Sequence, residues 1–239
     1  MPENPEQVLR LPANGGLDPQ LSLAVLAAHA VPGLDEQTGG EHRRPVRIGD
    51  RNVVIGLRFT EDAVLLRRVD AALTAEDRPP LSALLRRWFA LDLDLEPINA
   101  RLLRDPTLAP LVAKRPRLRP VGSPDPFEAA ATTVLGQQVS LAAGRTFAGR
   151  LVSGWAGPPI AGLHLFPTPG VVAGIPEDEL QAGVGLTHAR TRTLLAVAEA
   201  FAHVATPADP GAFPLTREEL LAIPGIGPWS ADNLDVRAR

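Results

Sequence analysis

Short apolar runs separated by turn residues dominate the first third of the chain. Residues 21–30 are mostly apolar and predict a helix, whereas the three runs after them are shorter and richer in β-branched residues. These runs predict strands over residues 46–48, 52–59 and 63–69. Because tight turns join the three strands, the pattern predicts an antiparallel sheet with the helix covering one face.

The spacing of apolar residues changes to a helical period after Pro79 and Pro80. A stretch rich in Pro and Arg over residues 116–126 predicts an exposed connector, and nearly everything beyond it is helical. Thr216 and Glu219 form a capping box that predicts one helix start. The other predicted helices cover residues 81–90, 95–103, 127 to about 152, 177–181 and 188–202.

The fold class predicted from this pattern is α+β, and a chain of 239 residues is long enough for two domains. Residues 1–120 are expected to form a small N-terminal antiparallel sheet domain with a helix, together with connecting helices. Residues 121–239 are expected to form an all-α bundle.

The composition is that of a soluble globular protein, with 45% hydrophobic residues and a mean hydropathy of +0.03. No apolar run approaches the roughly 18 to 20 residues that a membrane span needs, and residues 1–6 are polar rather than a secretion leader. We therefore expect a cytoplasmic protein without a membrane partner. The absence of cysteine excludes disulfides, thiolate metal sites and thiol nucleophiles. The five histidines show no paired metal-binding spacing.

The net charge of −3 is weak evidence against a nucleic-acid partner, for which a basic domain is typical. The densest basic cluster contains Lys114, which is the only lysine of the chain, and Arg115, Arg117 and Arg119. This cluster could contact phosphates through several charges, or it could belong to a solvated linker.

The most informative stretch is a short turn between two predicted helices, Pro224-Gly225-Ile226-Gly227-Pro228. Pro228 suits the first position of the second helix, so the pattern predicts a helix-hairpin-helix. Glycines here let a phosphate approach the N–H groups at the start of that helix, where the helix dipole favours an anion. Alternatively, Gly225 and Gly227 merely make a tight turn.

Backbone carbonyls of the same hairpin are candidates for a metal site. The carbonyl oxygens of Leu221, Ile223 and Ile226 could hold a monovalent cation that bridges to the phosphate. No other cofactor is expected.

Three segments together resemble the helix-hairpin-helix DNA glycosylases, and within them the DNA-3-methyladenine glycosylase II branch. Residues 125–128 followed by 134–140 are similar to the first long helix of that glycosylase core. Residues 166–169 are similar to its interhelical connector, and residues 223–231 are similar to its hairpin. Upstream, the helix over residues 21–30 and the strands are similar to the small domain that this branch adds.

The resemblance implies a monofunctional base-excision enzyme whose partner is double-stranded DNA containing alkylated bases of the 3-methyladenine type. Such an enzyme kinks the duplex, flips the damaged base into a pocket and hydrolyses its N-glycosidic bond. Gly225, Ile226 and Gly227 would then bind the DNA backbone. The resemblance further implies a monomer in the bacterial cytoplasm, associated with the nucleoid through DNA.

Two residues take site roles from this resemblance. Gln138 corresponds to the residue that wedges into the vacated base stack; otherwise it is an exposed helix residue. Trp229 is the candidate for the base pocket because an indole face attracts cationic alkylpurines; otherwise it is a core residue. Trp229 also falls where bifunctional relatives have a Schiff-base lysine, and the only lysine, Lys114, is in another segment. A lyase step is therefore not expected.

This sequence departs from the family's pattern at the catalytic carboxylate. In the family it is an aspartate on the segment after the second hairpin helix, which would lie beyond Arg239, so the helical domain is expected to be incomplete at its C-terminus. Asp232, three residues after Trp229, is the substitute candidate. Asn233 stands where the family tends to have an aromatic pocket residue.

Two alternatives to a glycosylase therefore remain open. One is a catalytically silent module that binds DNA and the lesion without cleaving the glycosidic bond, because the family's aspartate is absent. The other is a helical protein without a nucleic-acid role, in which the hairpin is only a turn. Only this last alternative predicts that salt-dependent binding to duplex DNA is absent.

Overall fold

An antiparallel five-stranded sheet forms the first part of the fold. The computed structural model describes residues 7–204 and 212–238, so the polar start over residues 1–6 and Arg239 lie outside the described residues. The strand order in the sheet is β1-β5-β4-β3-β2. The strands are β1 (Leu9–Pro12), β2 (Glu36–Thr38), β3 (Glu41–Ile48), β4 (Arg51–Phe59) and β5 (Ala63–Arg68). The predicted antiparallel sheet is thus confirmed, with two strands more than expected.

The extra strands have no hydrophobic pattern that the sequence could reveal. The three residues of β2 are all exposed, and β1 has only four residues. β3 begins at Glu41, earlier than predicted, because the buried residues in its first half are the polar residues Glu41, His42 and Arg44. Burial of polar side chains in a strand depends on partners elsewhere in the chain.

The helices that precede the connector are α1 (Pro19–His29), α2 (Arg78–Trp88), α3 (Glu96–Leu102) and α4 (Ala109–Lys114). The helices that follow it are α5 (Pro126–Leu135), α6 (Leu141–Trp155), α7 (Pro169–Ala173), α8 (Glu177–Val184), α9 (His188–His203), α10 (Arg217–Ala222) and α11 (Pro228–Arg237). The described part of the chain after the connector is therefore helical, as predicted. An α+β fold class is confirmed.

The prediction of one long helix from residue 127 to about 152 is wrong. The helix ends at Leu135 with Gly136 as its C-cap, and Gln138 has a φ of 54°, in the left-handed region. Ser140 then caps α6 by accepting a hydrogen bond from the Ala143 N–H at 3.2 Å. The apolar spacing continues through this break, which is why hydrophobic periodicity did not reveal it.

Two hydrophobic clusters divide the interior. One joins the sheet to α2 around fully buried residues such as Leu57, Leu85 and Trp88. The other joins the helices after the connector, and it includes Val31 and Leu34 from the segment between α1 and β2. These two clusters support a domain division near residue 120, which stays a prediction.

The connector is less exposed than its composition suggested, because Arg119 is buried. Its guanidinium donates to the carbonyl oxygens of Gly16 at 2.8 Å and Leu93 at 3.0 Å, and also to those of Asn14 and Ala90. Burial lowers the pKa of this guanidinium from its ordinary value. Arg119 thus fastens the connector to the sheet domain and does not belong to a phosphate-binding cluster.

None of the helices within residues 7–204 and 212–238 combines the length and apolar character needed to cross a membrane.

Candidate functional site

A cavity of about 330 Å³ lies where the sheet domain meets the helical bundle. Its walls come from α1, β3 and α2 on one side and from α5, α6 and α11 on the other. The turn between α5 and α6 and the end of the connector complete the lining. Its volume falls at the lower end of the range of about 300 to 1,000 Å³ that is typical of small-molecule sites.

One face of α11 forms the outer wall of this cavity. Trp229, Asn233 and Arg237 line it, four residues apart, which is the spacing of one helix face. Trp229 is 67% exposed, so it lies at the rim and is not a core residue. Asn233 donates from Nδ2 to Thr133 Oγ1 at 3.0 Å, which makes this part of the wall polar.

The structure does not bring Asp232 into the cavity with Trp229. Asp232 is exposed, and its carboxylate accepts a hydrogen bond from Arg217 Nη2 at 2.6 Å. Arg217 also donates to Asp235 at 2.8 Å, so the outer side of α11 is bound to the start of α10. The three-residue spacing from Trp229 therefore does not give Asp232 the shared, cavity-facing side that the sequence suggested.

Gln138 lies in the turn between α5 and α6 rather than on a helix, and its side chain is exposed. The neighbouring Gln137 donates from Nε2 to the Gly225 carbonyl oxygen at 3.0 Å and to Ser230 Oγ at 3.1 Å. Arg190 of α9 donates to the Gln137 carbonyl oxygen at 2.6 Å. The turn that carries Gln138 is therefore hydrogen-bonded directly to the hairpin.

The hairpin requires glycine at one of its two glycine positions. Gly225 has a φ of 90°, and a Cβ there would lie 2.1 Å from Thr193 Oγ1. At Gly227 a Cβ would meet no atom within 4 Å, so the space beside the start of α11 is open. Gly227 is the N-cap of α11 and makes no side-chain capping bond, which leaves N–H groups at this helix end available.

The carbonyls predicted to hold a cation lie around this turn. The Ile223 carbonyl oxygen accepts a hydrogen bond from the Ile226 N–H at 3.0 Å, and both side chains are buried. Leu221 is in the last turn of α10 and is 41% exposed. Among the described residues, no group of three histidine or carboxylate side chains is placed to hold a metal ion.

A buried cluster of charged and polar side chains forms the inner wall of the cavity, and no pattern in the sequence predicts it. Arg44 Nη2 donates to Glu128 Oε2 at 2.6 Å, and Arg44 Nη1 lies 3.5 Å from Asp35 Oδ1. His42 Nε2 lies 3.3 Å from the same Asp35 oxygen. Trp88 packs against both basic residues, with the Arg44 guanidinium 5.3 Å from its ring centroid.

The pKa values of the two carboxyl groups in this cluster shift in opposite directions. Burial raises the pKa of Glu128 above its ordinary value, and Arg44 offsets only part of the effect. Burial would also raise the pKa of Asp35, but Arg44, His42 and the Val31 N–H more than compensate, so that pKa is lowered. Asp35 is therefore the more firmly ionised partner of Arg44.

Two further arginines make the cavity less acidic than its carboxylates suggest. Arg145 and Arg237 both line the cavity. Burial lowers the pKa of His29 from its ordinary value, and Arg237 and Arg145 lower it further. The pKa of Arg237 is itself lowered by burial.

Comparison with known proteins shows which proteins the chain is similar to. Residues 8–125 match the model of the AlkA N-terminal domain. A Mycobacterium tuberculosis protein named "Probable bifunctional transcriptional activator/DNA repair enzyme AlkA" is 35% identical over 238 residues, which cover 96% of this chain and 46% of that protein. This chain thus spans about half the length of that relative. Escherichia coli DNA-3-methyladenine glycosylase 2 is 29% identical over 90% of this chain and 75% of its own length.

Solved structures show the same fold. The 3-methyladenine DNA-glycosylase from Archaeoglobus fulgidus superposes with a TM-score of 0.77 at 18% identity, over 95% of this chain and 77% of that one. Residues 8–125 thus belong to the AlkA N-terminal domain family, and the chain as a whole, with its antiparallel sheet, helical bundle and hairpin, is similar in sequence and in fold to the DNA-3-methyladenine glycosylases named above.

Proposed function

We propose that the chain binds duplex DNA that contains an alkylated base of the 3-methyladenine type and receives the flipped base in the cavity. The reaction is hydrolysis of the N-glycosidic bond without a lyase step. One observation carries this proposal: the turn with Gln138 is hydrogen-bonded to the hairpin, beside a cavity whose rim carries Trp229. The groups proposed to bind the DNA backbone, to extrude the base and to capture it therefore lie next to one another.

The hairpin supplies the grip on the DNA backbone. A phosphate oxygen fits the open space beside Gly227, where the N–H groups at the start of α11 and the helix dipole favour an anion. Gly225 and Ile226 hold the turn in shape, since Gly225 has a positive φ and the Ile226 side chain is buried.

Backbone carbonyls are the ligands that potassium ions accept in proteins. The carbonyls of Leu221, Ile223 and Ile226 would hold such a monovalent cation, which would add positive charge beside the phosphate. Replacement of K⁺ by tetramethylammonium at constant ionic strength should then weaken binding to duplex DNA. Equal affinity in the two salts would exclude the cation.

Trp229 and Gln138 act on the base. An exposed indole face attracts a cationic alkylpurine by about 0.5 to 2 kcal/mol, and the free face of Trp229 is at the rim of the cavity. Gln138 fills the space that the extruded base leaves, and its amide can hydrogen-bond the unpaired partner base. Gln138 is exposed in the turn, where its φ of 54° lies in the left-handed region.

The silent lesion-binding module is a second candidate, and the carboxylates favour it. Asp35 and Glu128, which line the cavity, are both engaged by Arg44, while Asp232 is engaged by Arg217 outside the cavity. None of them is free to stabilise the positive charge that develops on the sugar. Lys114, the only lysine, does not line the cavity, so the described lining residues offer no lysine amine for a lyase step.

Two assays on the same chain separate these functions. Binding to methylated duplex DNA, followed by fluorescence anisotropy, should weaken as salt rises, and release of free 3-methyladenine reports hydrolysis. Trp229→Ala should lose release or lesion preference, whereas Val236→Ala, an equally exposed position on α11, should retain both. Binding without release supports the silent module, and absence of salt-sensitive binding contradicts both candidates.

A further inference from the structure

Arg190, in the first turn of α9, reaches the turn between α5 and α6. Its Nη2 donates to the carbonyl oxygen of Gln137 at 2.6 Å, although the two residues are 53 positions apart in sequence. The same guanidinium lies over the ring of Phe147 on α6, with its Cζ 5.8 Å from the ring centroid. A planar guanidinium that stacks on a ring while it donates to a carbonyl has little freedom to move. Arg190 therefore joins α9 to α6 and to the end of α5.

The carbonyl that Arg190 binds belongs to the peptide unit that leads into Gln138. Because a peptide unit is planar, a contact that fixes the Gln137 carbonyl oxygen also fixes the direction of the Gln138 N–H. Gln138 has a φ of 54°, and a residue with a side chain stays in this left-handed region only when surrounding contacts hold it there. The hydrogen bond from Arg190 is one such contact.

The end of α5 also favours a positive charge at this place. Gly136 is the C-cap of α5, so the Gln137 carbonyl lies just beyond the negative end of the helix dipole. The last carbonyls of a helix have no partner within it, and an arginine side chain that binds there supplies both a donor and a favourable charge. Arg190 supplies this charge-assisted hydrogen bond from another helix.

The same side of α9 supports the hairpin. Thr193 follows Arg190 by three residues, a spacing that places both residues on one side of a helix. A Cβ on Gly225 would lie 2.1 Å from Thr193 Oγ1, so the hairpin turn packs directly on this side chain. The Gln137 side chain completes the connection by donating to the Gly225 carbonyl oxygen at 3.0 Å. Both loops that are proposed to act on DNA therefore rest on α9.

We propose that Arg190 is a positioning residue, which holds the turn that carries Gln138 in the conformation required for base extrusion. This inference rests on the function proposed above. Arg190 acts through the Gln137 carbonyl and does not itself contact DNA, because its half-buried guanidinium is already engaged by the turn and by Phe147. Without this contact the turn adopts other conformations, and extrusion falls with the fraction of molecules in which the turn is still correctly placed.

The test measures base extrusion and DNA binding separately, on the whole chain. Arg190→Gln is compared with Arg192→Gln, which removes the same charge from an exposed position of the same helix. A duplex with an N-alkylated purine beside 2-aminopurine reports extrusion by fluorescence at saturating protein, and binding by anisotropy. The ratio of extruded to stacked base should fall about tenfold in Arg190→Gln, as expected for the loss of one charge-assisted hydrogen bond. Arg192→Gln should retain the wild-type ratio, and a wild-type ratio in Arg190→Gln would overturn the proposal.

The dependence of DNA affinity on salt separates positioning from a phosphate contact. Removal of an arginine that contacts a phosphate reduces the slope of log affinity against log salt concentration by about one. Arg190→Gln should keep the wild-type slope, and a reduced slope would overturn the proposal. Arg190→Lys, which keeps a charged donor, should recover part of the extrusion that Arg190→Gln loses. No recovery in Arg190→Lys would show that the turn does not depend on the charged donor, and would also overturn the proposal.

A further measurement covers the case in which Arg190→Gln fails to fold. In wild type, the Nη resonances of Arg190, assigned from the spectrum of Arg190→Lys, should show slow rotation of the guanidinium in the free chain and in the complex with the damaged duplex. Fast rotation in either state would overturn the proposal. Saturated binding by wild type without any rise in fluorescence would overturn the proposed function together with this inference, whereas a rise that Arg190→Gln retains in full overturns this inference alone.

Discussion

The Gln137 side chain joins two loops that are 88 residues apart in sequence, by donating to the Gly225 carbonyl oxygen over 3.0 Å. Ser230 Oγ accepts from the same Nε2, so a single amide contacts the hairpin turn and the first turn of α11. The residue that projects from the α5–α6 turn, Gln138, is the next one along the chain. The bond thus ties the turn that carries the proposed wedge to the hairpin that carries the proposed phosphate site.

Gln137→Leu should uncouple these two loops. Loss of hydrogen bonds to Gly225 and Ser230 should lower the free energy of unfolding by about 0.5 to 1.5 kcal/mol per bond, measured by urea denaturation. At protein concentrations that saturate a damaged duplex, base extrusion by Gln137→Leu, read from the fluorescence of 2-aminopurine next to the damaged base, should be lower than in wild type. Its affinity for undamaged duplex should change less. Gln181→Leu on α8 is the matched control. An unchanged extrusion signal in Gln137→Leu would show that the amide does not position Gln138.

The two hairpin glycines should respond oppositely to alanine. Gly225→Ala should destabilise the fold, because φ is positive and the new Cβ would lie 2.1 Å from Thr193 Oγ1. Gly227→Ala should leave the thermal midpoint almost unchanged and weaken binding to duplex DNA, since its Cβ occupies only the space proposed for a phosphate. Wild-type DNA affinity in Gly227→Ala would argue that the second glycine serves only the turn.

Trp229→Ala should change stability little. Because Trp229 is 67% exposed, its removal should alter the free energy of unfolding by about 0.5 kcal/mol or less, as for other surface positions. Trp88→Ala provides the contrast: this side chain is 1% exposed, and its loss should cost about 3 to 5 kcal/mol. Chemical denaturation of both variants checks the difference. A large loss of stability in Trp229→Ala would show that the indole supports the fold rather than a ligand.

The Asp35 carboxylate should stabilise the fold in a pH-dependent way. Its pKa is lowered in the folded protein, so this stabilisation is complete above the unfolded pKa of about 3.9 and is lost as pH falls through the folded pKa. Glu128 behaves oppositely because its pKa is raised. Wild type is therefore compared with Asp35→Asn by urea denaturation between about pH 7 and 3.

The difference in unfolding free energy between these two proteins should be constant near neutral pH and shrink below about pH 4. A difference that stays constant to the lowest pH would mean that the ionised Asp35 carboxylate does not contribute to the free energy of unfolding. If Asp35→Asn does not fold, the ¹³C shift of the Asp35 carboxyl in wild type reports the same titration, and a midpoint at or above 3.9 contradicts the account.

The helices and strands that could be predicted are those marked by residues close together in the sequence. The hydrophobic pattern indicated β4 and β5, and the capping box at Thr216 indicated the start of α10, which the structure confirms. The break at Gln138 could have been found from Gly136 and Ser140, which are typical helix-end residues, but the continuing apolar spacing outweighed them.

The inner wall of the cavity could not have been predicted in this way. Asp35, His42, Arg44 and Glu128 come from three separate elements or loops, and each one alone suits a solvated surface. Only the meeting of the sheet with α5 buries them together, and no local pattern encodes that contact. Likewise, Asp232 follows Trp229 at a helical spacing, but its pairing with Arg217 depends on the packing of α10 against α11.

Base extrusion by the chain can be followed directly in solution. A duplex with one N-alkylated purine beside 2-aminopurine is titrated with the chain, and 2-aminopurine fluorescence is read together with anisotropy. Fluorescence should rise as binding saturates, and the rise should be smaller in Gln138→Ala, while Val236→Ala should match wild type. Saturated binding without any rise in fluorescence would contradict the claim that this chain takes a base out of the DNA stack into its cavity.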